Sequence, residues 1–175
     1  MNKILVCISG ASGANLGLKL YNLIPAGYKK YLVISQNANT VLQKENNIFL
    51  NEDISAAPAS GSFGIETTFI VPTSMNTLAK IANGIADNLI TRAASVAIKE
   101  NKKLILAPRE LPFSQIALEN MLKLSKIPNV FIAPPVIAYY NNPKNIEDIE
   151  MFLIGKWFDL AGIENKFFKR WGENE

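Results

Sequence analysis

VPTSMNTLAKIANGIADNLITRAASVAIK, residues 71–99, is the stretch around which the chain can be read. An apolar segment ends at Pro72, which cannot donate to a central ladder and so predicts the end of a strand. Small polar residues follow (Thr73, Ser74, Asn76, Thr77), and an Ala- and Ile-rich helical pattern then takes over. A strand that hands small polar groups to a helix start is how α/β proteins build a site for an anionic cofactor. Asn83-Gly84 breaks the helical pattern in two, with Asp87 the expected N-cap of the second helix. In that helix Leu89, Ile90, Ala93, Ala94 and Ala97 form a buried stripe, while Asn88, Arg92, Ser95 and Lys99 share a polar face. Two cations beside hydroxyl and amide groups suit a phosphate, although such faces are more often simply solvated.

Upstream, Lys3 to Ile8 (KILVCI) is a short continuous apolar run, the pattern of a strand buried on both faces. It breaks into Ser9-Gly10-Ala11-Ser12-Gly13-Ala14 and then a Leu-rich helical pattern, with Ser12 able to offer a hydroxyl at the helix start. Strand, small-residue loop and helix make the first unit of a Rossmann-like or flavodoxin-like fold. The spacing is not GxGxxG, so a ligand cradle and a bare tight turn read equally well here. Tyr31 to Ile34 is the second strand, ending at Ser35, and Ala38 to Glu45 follows as helix. Glu45 is a site carboxylate or, more ordinarily, a solvated helix residue. Residues 51–64 (NEDISAAPASGSFG) read as a long loop, either a mobile surface loop or a lid that brings Phe63 over a planar ligand.

Thr67 to Val71 is the third strand, Leu104 to Ala107 the fourth and Val130 to Ala133 the fifth. The fourth runs straight into Pro108-Arg109-Glu110-Leu111-Pro112, where two prolines aim a charged pair at a strand end. A helix from Ile146 to Leu160 is marked by Glu147 and Asp148 at its start and closed by Gly162. The tail Phe167-Phe168-Lys169-Arg170-Trp171 is too apolar for a free terminus and is expected to dock on this subunit or a neighbour. Five strands alternating with helices predict a three-layer α/β/α sandwich around a parallel sheet, a single domain over residues 1–175.

Composition narrows the chemistry. With 49% hydrophobic and 19% charged residues the chain is of the folded, globular class, and a net charge of +3 without a dense Lys/Arg block does not point to nucleic acid. Cys7, the only cysteine, lies in an apolar run and reads as a buried structural thiol in a reducing compartment. The first apolar run stops too early for a signal peptide, and no window reaches the roughly 18 apolar residues of a membrane span. A cytoplasmic protein is expected. The chain has no histidine, which excludes Ser-His-Asp and Cys-His catalysis and makes a transition-metal site improbable. Any proton transfer falls to Glu, Asp, Lys, Tyr or a substrate phosphate.

GASGA (residues 10–14), SGSF (60–63), the stretch from Val71 to Glu100, PRELP (108–112) and the turn from Tyr140 to Pro143 together resemble the UbiX-like flavin prenyltransferases, in order and over nearly the whole chain. The resemblance implies a flavodoxin-like subunit of a dodecamer that binds FMN. It implies transfer of a dimethylallyl group from dimethylallyl monophosphate to N5 and C6 of reduced FMN, without a metal, the product serving UbiD-like decarboxylases. It puts the FMN contacts on Gly10, Ala11, Ser12, Ser35, Ser74, Met75, Asn76, Thr77 and Arg109. Prenyl-phosphate contacts fall on Tyr140 and Lys156, with Arg92 and Lys99 closing the phosphate site from an adjacent subunit. Glu110, Glu45 and Ser12 fall near the reacting centre, and Trp171 matches a C-terminal aromatic. Two positions depart from the family pattern: Thr73 stands where Cys is common, and Lys156 where Arg is usual. Two rival readings are a cysteine decarboxylase of the phosphopantothenoylcysteine type, which relies on a histidine, and a non-catalytic FMN carrier.

Overall fold

Six apolar runs form one wholly parallel sheet in the computed structural model, which describes residues 1–10, 12–35, 47–170 and 172. The strands are β1 (Lys3–Ile8), β2 (Lys29–Ile34), β3 (Ile48–Leu50), β4 (Ile65–Thr73), β5 (Lys103–Pro108) and β6 (Val130–Ile132). The helices are α1 (Ala14–Leu23), α2 (Met75–Ala82), α3 (Leu89–Lys99), α4 (Gln115–Ser125) and α5 (Ile146–Ala161). By internal contacts the described residues form two compact units, Met1–Pro134 and Pro135–Glu175.

In the first unit the sheet order is β3-β2-β1-β4-β5-β6. The chain therefore works outward from β1 in one direction, returns to β4 on the other side of β1, and works outward again. That reversal makes the β1/β4 junction the switch point at which α/β sheets open a crevice beyond their carboxyl ends. The central strands are apolar on both faces because helices cover both. Leu5, Cys7, Ile70, Leu104 and Leu106 pack with α2, α3 and α4, including Leu78, Ile90, Ala94 and Met121. On the opposite face α1 lies so close to the sheet that a Cβ on Gly17 would stand 2.1 Å from the Val71 carbonyl oxygen. Only glycine allows that approach.

Three expectations are corrected. The sheet has six strands, not five: the three-residue β3 pairs with β2 from Leu32↔Ile48 to Ile34↔Leu50. Pro72 does not end its strand. β4 continues to Thr73, and the β4–β5 register shifts between Ile70 and Thr73, so the residue without an N–H sits where the ladder is already irregular. The N-cap of α3 is Asn88, not Asp87: the Asn88 side chain accepts from the Thr91 N–H at 3.0 Å and Thr91 Oγ1 accepts from the Asn88 N–H at 3.3 Å. A reciprocal capping box satisfies two donors where Asp87 would satisfy one, and Asp87 instead meets Lys80 at 2.6 Å.

The long connection after β3 is packed rather than loose. The Asn51 backbone carbonyl and side chain accept the N–H groups of Leu89 and Ile90 at 2.8 and 3.0 Å, and two short 3₁₀ turns follow at Ala57–Ala59 and Gly61–Phe63. Phe63 packs edge-on against Tyr31 at 4.9 Å, and its carbonyl accepts from Lys3 Nζ at the start of β1. That is the amino edge of the sheet, so Phe63 is not a lid over the strand-end loops of its own chain.

In the second unit α5 is capped by Asn145, whose side chain accepts from the Asp148 N–H at 2.9 Å, and closes at Gly162 with φ 77°. The tail returns along this helix. Phe167 packs on Phe158, Phe168 on Phe152, and the Arg170 guanidinium grips both oxygens of Asp159 at 3.0 and 2.7 Å. The expected docking of the tail is thus made on its own α5. Among the described residues no helix is long and apolar enough to cross a membrane.

Candidate functional site

The carboxyl edge of the sheet in the first unit gathers most of the sequence candidates. Gly10 and Ser12 follow β1, Ser35 follows β2, Ser74 to Thr77 follow β4, and Arg109 and Glu110 follow β5. With strands about 4.8 Å apart, four adjacent strand ends from β2 to β5 span roughly 14 Å, enough for a flat ligand laid along the edge.

α1 and α2 begin at this edge, directly after the two central strands β1 and β4. α1 starts at Gly13, whose φ of 102° belongs to the left-handed region, and no side chain caps it. Ser12 is therefore not the N-cap; it stands exposed in the loop before the helix. Ser74 caps α2: its hydroxyl accepts from the Thr77 N–H at 3.2 Å and donates to Thr77 Oγ1 at 3.0 Å. The first turn of a helix has N–H groups that no intrahelical carbonyl takes, and here those belong to Met75 and Asn76. Two such turns beside each other favour an anion. Asn76 is exposed, while the Met75 side chain packs against the core, which leaves the Met75 backbone N–H as the group that a ligand here would meet.

The loops are tied together by Ser9, to which sequence reading gave no role, and by Thr73, which it placed among the polar groups at a strand end. Ser9, 3% exposed, donates to the Pro72 carbonyl at 2.9 Å and accepts from the Ser74 N–H at 2.8 Å, joining the end of β1 to the start of α2. Thr73, fully buried, donates to the Ile70 carbonyl at 2.6 Å and accepts from the Ala107 N–H at 3.1 Å. Its own carbonyl accepts from the Arg109 N–H at 3.2 Å. The Thr73 hydroxyl therefore anchors the turn that aims Arg109 and Glu110, and the departure from Cys at this position carries two hydrogen bonds. The signal available in sequence was a small hydroxyl residue at a strand end.

Arg109 and Glu110 are both exposed, and Glu110 Oε1 accepts from the Leu111 N–H at 3.2 Å. Lys99 is not part of this edge, and the Arg92 side chain is bonded elsewhere. Arg92 Nε donates to the Ala59 carbonyl at 3.3 Å, and Lys99, at the far end of α3, pairs with Glu100 at 2.5 Å beside the start of β5. β5 alone is six residues, so Lys99 and Glu110 are separated by most of a strand, about 16 Å or more.

In the second unit Tyr140 packs edge-on against Phe152 at 5.6 Å, and Lys156 follows Phe152 by one turn of α5 and is exposed. Tyr140, Phe152, Phe168 and Arg170 line a cavity of about 610 Å³. Ala11, Glu45, Trp171 and the expected helix from Ala38 to Glu45 lie outside the described residues. Burial pushes the Cys7 thiol far above its ordinary range, which removes it from nucleophilic chemistry. Among the described residues no group of three His, Cys, Asp or Glu is placed to hold a metal ion.

The family model described as Flavoprotein matches residues 1–158. The flavin prenyltransferase UbiX of Helicobacter pylori is 46% identical over 98% of this chain and 100% of its own length. The chain belongs to the flavin prenyltransferase family. Among solved structures, the dodecameric FMN-dependent UbiX-like decarboxylase of Escherichia coli O157:H7 superposes with a TM-score of 0.89 at 37% identity, covering 97% of this chain and 98% of that one. AnUbiX (PadA1), solved in complex with FMN and dimethylallyl pyrophosphate, gives a TM-score of 0.90 at 35% identity over 99% of both chains. The strand order and the helix-headed carboxyl edge are therefore those of a flavin prenyltransferase fold.

The residues at the edge fit FMN as the group this family binds. Gly10 has open space where a Cβ would be, the N-termini of α1 and α2 offer backbone N–H groups that a phosphate would accept from, and Arg109 adds a cation.

Proposed function

We propose that this protein joins a dimethylallyl group from dimethylallyl monophosphate to N5 and C6 of reduced FMN. The observation that carries this reading is the carboxyl edge itself, where two helix N-termini, Arg109 and Glu110 converge on four strand ends in a chain with no histidine. Gly10, Ala11, Ser12, Ser35, Ser74, Met75, Asn76, Thr77 and Arg109 hold the flavin. FMN, when bound, supplies the nucleophilic ring positions. Cleaving the allylic C–O bond releases phosphate and leaves a cation, so cationic side chains must hold the phosphate while aromatic faces tolerate the charge. Tyr140 and Lys156 contact the phosphate, and Lys156 neutralises it as a point charge without the two-pronged fork of Arg. Glu110 takes the proton released at flavin C6, with the departing phosphate as the other available base. Glu45 and Ser12 complete the polar surround of the reacting centre.

Arg92 and Lys99 share α3, with Lys99 at the end remote from the strand-end edge, and serve the phosphate site of a neighbouring copy. A homo-oligomer, dodecameric like the E. coli relative, supplies that neighbour, and the exposed apolar residues Ile116, Leu118 and Leu122 on α4 suit a self-contact. The prenylated flavin passes to a UbiD-like decarboxylase in the cytoplasm. A cysteine decarboxylase reading would need a histidine that the chain does not have.

The test is phosphate release. With reduced FMN and dimethylallyl monophosphate, inorganic phosphate should appear in step with flavin consumed, and not when reduced FMN is omitted. A protein that binds FMN yet releases neither phosphate from the monophosphate nor diphosphate from the diphosphate would be a carrier and not a transferase.

A further inference from the structure

The C-terminal segment makes contacts that the assignment of Tyr140 and Lys156 leaves unused. Asp159 lies three residues after Lys156 on α5, within reach of its ammonium on the same helix. It is held instead by the two prongs of Arg170 at 2.7 and 3.0 Å and by Asn165 Nδ2 at 3.0 Å. Arg170, Asn165 and to a lesser degree Lys156 keep the Asp159 carboxyl below its usual range. Asn165 also donates to the Gly155 carbonyl at 3.2 Å, and Phe168 lies so close to Gly155 that a Cβ there would stand 2.6 Å from its ring. From Phe168 the contacts run to Phe152 at 4.9 Å and from Phe152 to Tyr140 at 5.6 Å.

We propose that Arg170 is a positioning residue for the prenyl phosphate: it docks the tail that backs Tyr140, and it occupies Asp159 so that Lys156 stays available to the phosphate. This rests on the reading of Tyr140 and Lys156 as phosphate contacts. Without Arg170, Phe168 loses its anchor and Phe152 one wall, so the Tyr140 ring is no longer fixed. Asp159, relieved of its two-pronged partner, then pairs with Lys156 and lowers the positive charge offered to a phosphate dianion. FMN binding, which falls to the strand-end residues, is unaffected.

The experiment is steady-state prenylation of reduced FMN with dimethylallyl monophosphate varied, alongside FMN affinity by fluorescence titration. Arg170→Gln should raise KM for the prenyl phosphate about tenfold with a smaller change in kcat and no change in FMN affinity, as expected when a substrate-binding interaction is lost. Arg170→Lys, which keeps the charge but not the fork, should fall between wild type and Arg170→Gln. Asp159→Asn combined with Arg170→Gln should recover part of the loss, because the neutral amide no longer captures Lys156. An unchanged KM in Arg170→Gln, or in Arg170→Lys should the first variant not fold, overturns the inference; so does a loss of FMN affinity in parallel with KM. Wild-type protein that leaves the flavin unmodified overturns the underlying reading as well.

Discussion

The Ser9 hydroxyl bridges to Ser74 across the switch point of the sheet: it accepts the Ser74 N–H at 2.8 Å while donating to the Pro72 carbonyl at 2.9 Å. One side chain thereby fixes the loop after β1 against the head of α2, the two pieces of backbone on which an FMN phosphate would rest. Ser9→Ala leaves a nearly buried N–H and carbonyl without partners, so stability to urea should fall by about 1–3 kcal/mol. FMN affinity should fall with it. A variant as stable as wild type that binds FMN normally would remove this bridge from the account.

Thr73 makes the same point on the other side of the site. Thr73→Val keeps the shape but strips the acceptor from the buried Ala107 N–H, at a cost of about 1–3 kcal/mol. Thr73→Ser should retain most of that. Comparing the denaturation midpoints of the two variants separates the hydrogen bonds from packing, and equal midpoints would argue that the hydroxyl contributes nothing.

Gly17 tests how closely α1 must approach the sheet. A methyl group there meets the Val71 carbonyl, which is backbone and cannot swing aside. Gly17→Ala should therefore destabilise by about 3 kcal/mol or more, despite the better helix propensity of Ala. A melting temperature equal to or above wild type would contradict the packing described.

The tail contact carries a pH signature. Arg170 holds the Asp159 carboxyl below its unfolded range, so the docking contribution is fully present above the ordinary Asp value of about 3.9 and is lost as pH falls through the lower folded value. Protection of residues 163–170 against hydrogen exchange, relative to the intrinsic rate at each pH, should fall over that acid window in wild type, and in Asp159→Asn it should be low already at neutral pH. Flat protection in both would show that the ion pair does not hold the tail.

Much of this was legible in the chain. Lys3–Ile8 and Leu104–Ala107 announced themselves as strands because a sheet covered on both faces needs continuous apolar runs. Gly84 and Gly162 marked helix ends because their left-handed backbone suits glycine, with φ 72° and 77°. β3 was not legible, because three residues, Ile-Phe-Leu, give no periodicity to count. Pro72 misled because the rule against proline in central strands assumes a regular ladder, and this one shifts register there. Ser9 escaped notice because its two partners lie 63 and 65 residues away and only the sheet order brings them together. The tail was recognisable as a docking segment from Phe167 and Phe168, but its partner Asp159 emerged only from the fold.

In the proposed reaction the proton acceptor is Glu110, which is exposed just past the end of β5 in a chain with no histidine to compete for the role. Glu110→Gln should bind FMN as tightly as wild type and lose most turnover, roughly 100-fold or more, as expected for removal of a proton acceptor. The direct measurement is the mass of the flavin extracted after anaerobic incubation with reduced FMN and dimethylallyl monophosphate. Wild type should yield FMN heavier by one C5 prenyl unit, and Glu110→Gln should yield little of it. Unchanged FMN from the wild-type protein would contradict prenyl transfer, and full conversion by Glu110→Gln would contradict the role given to Glu110.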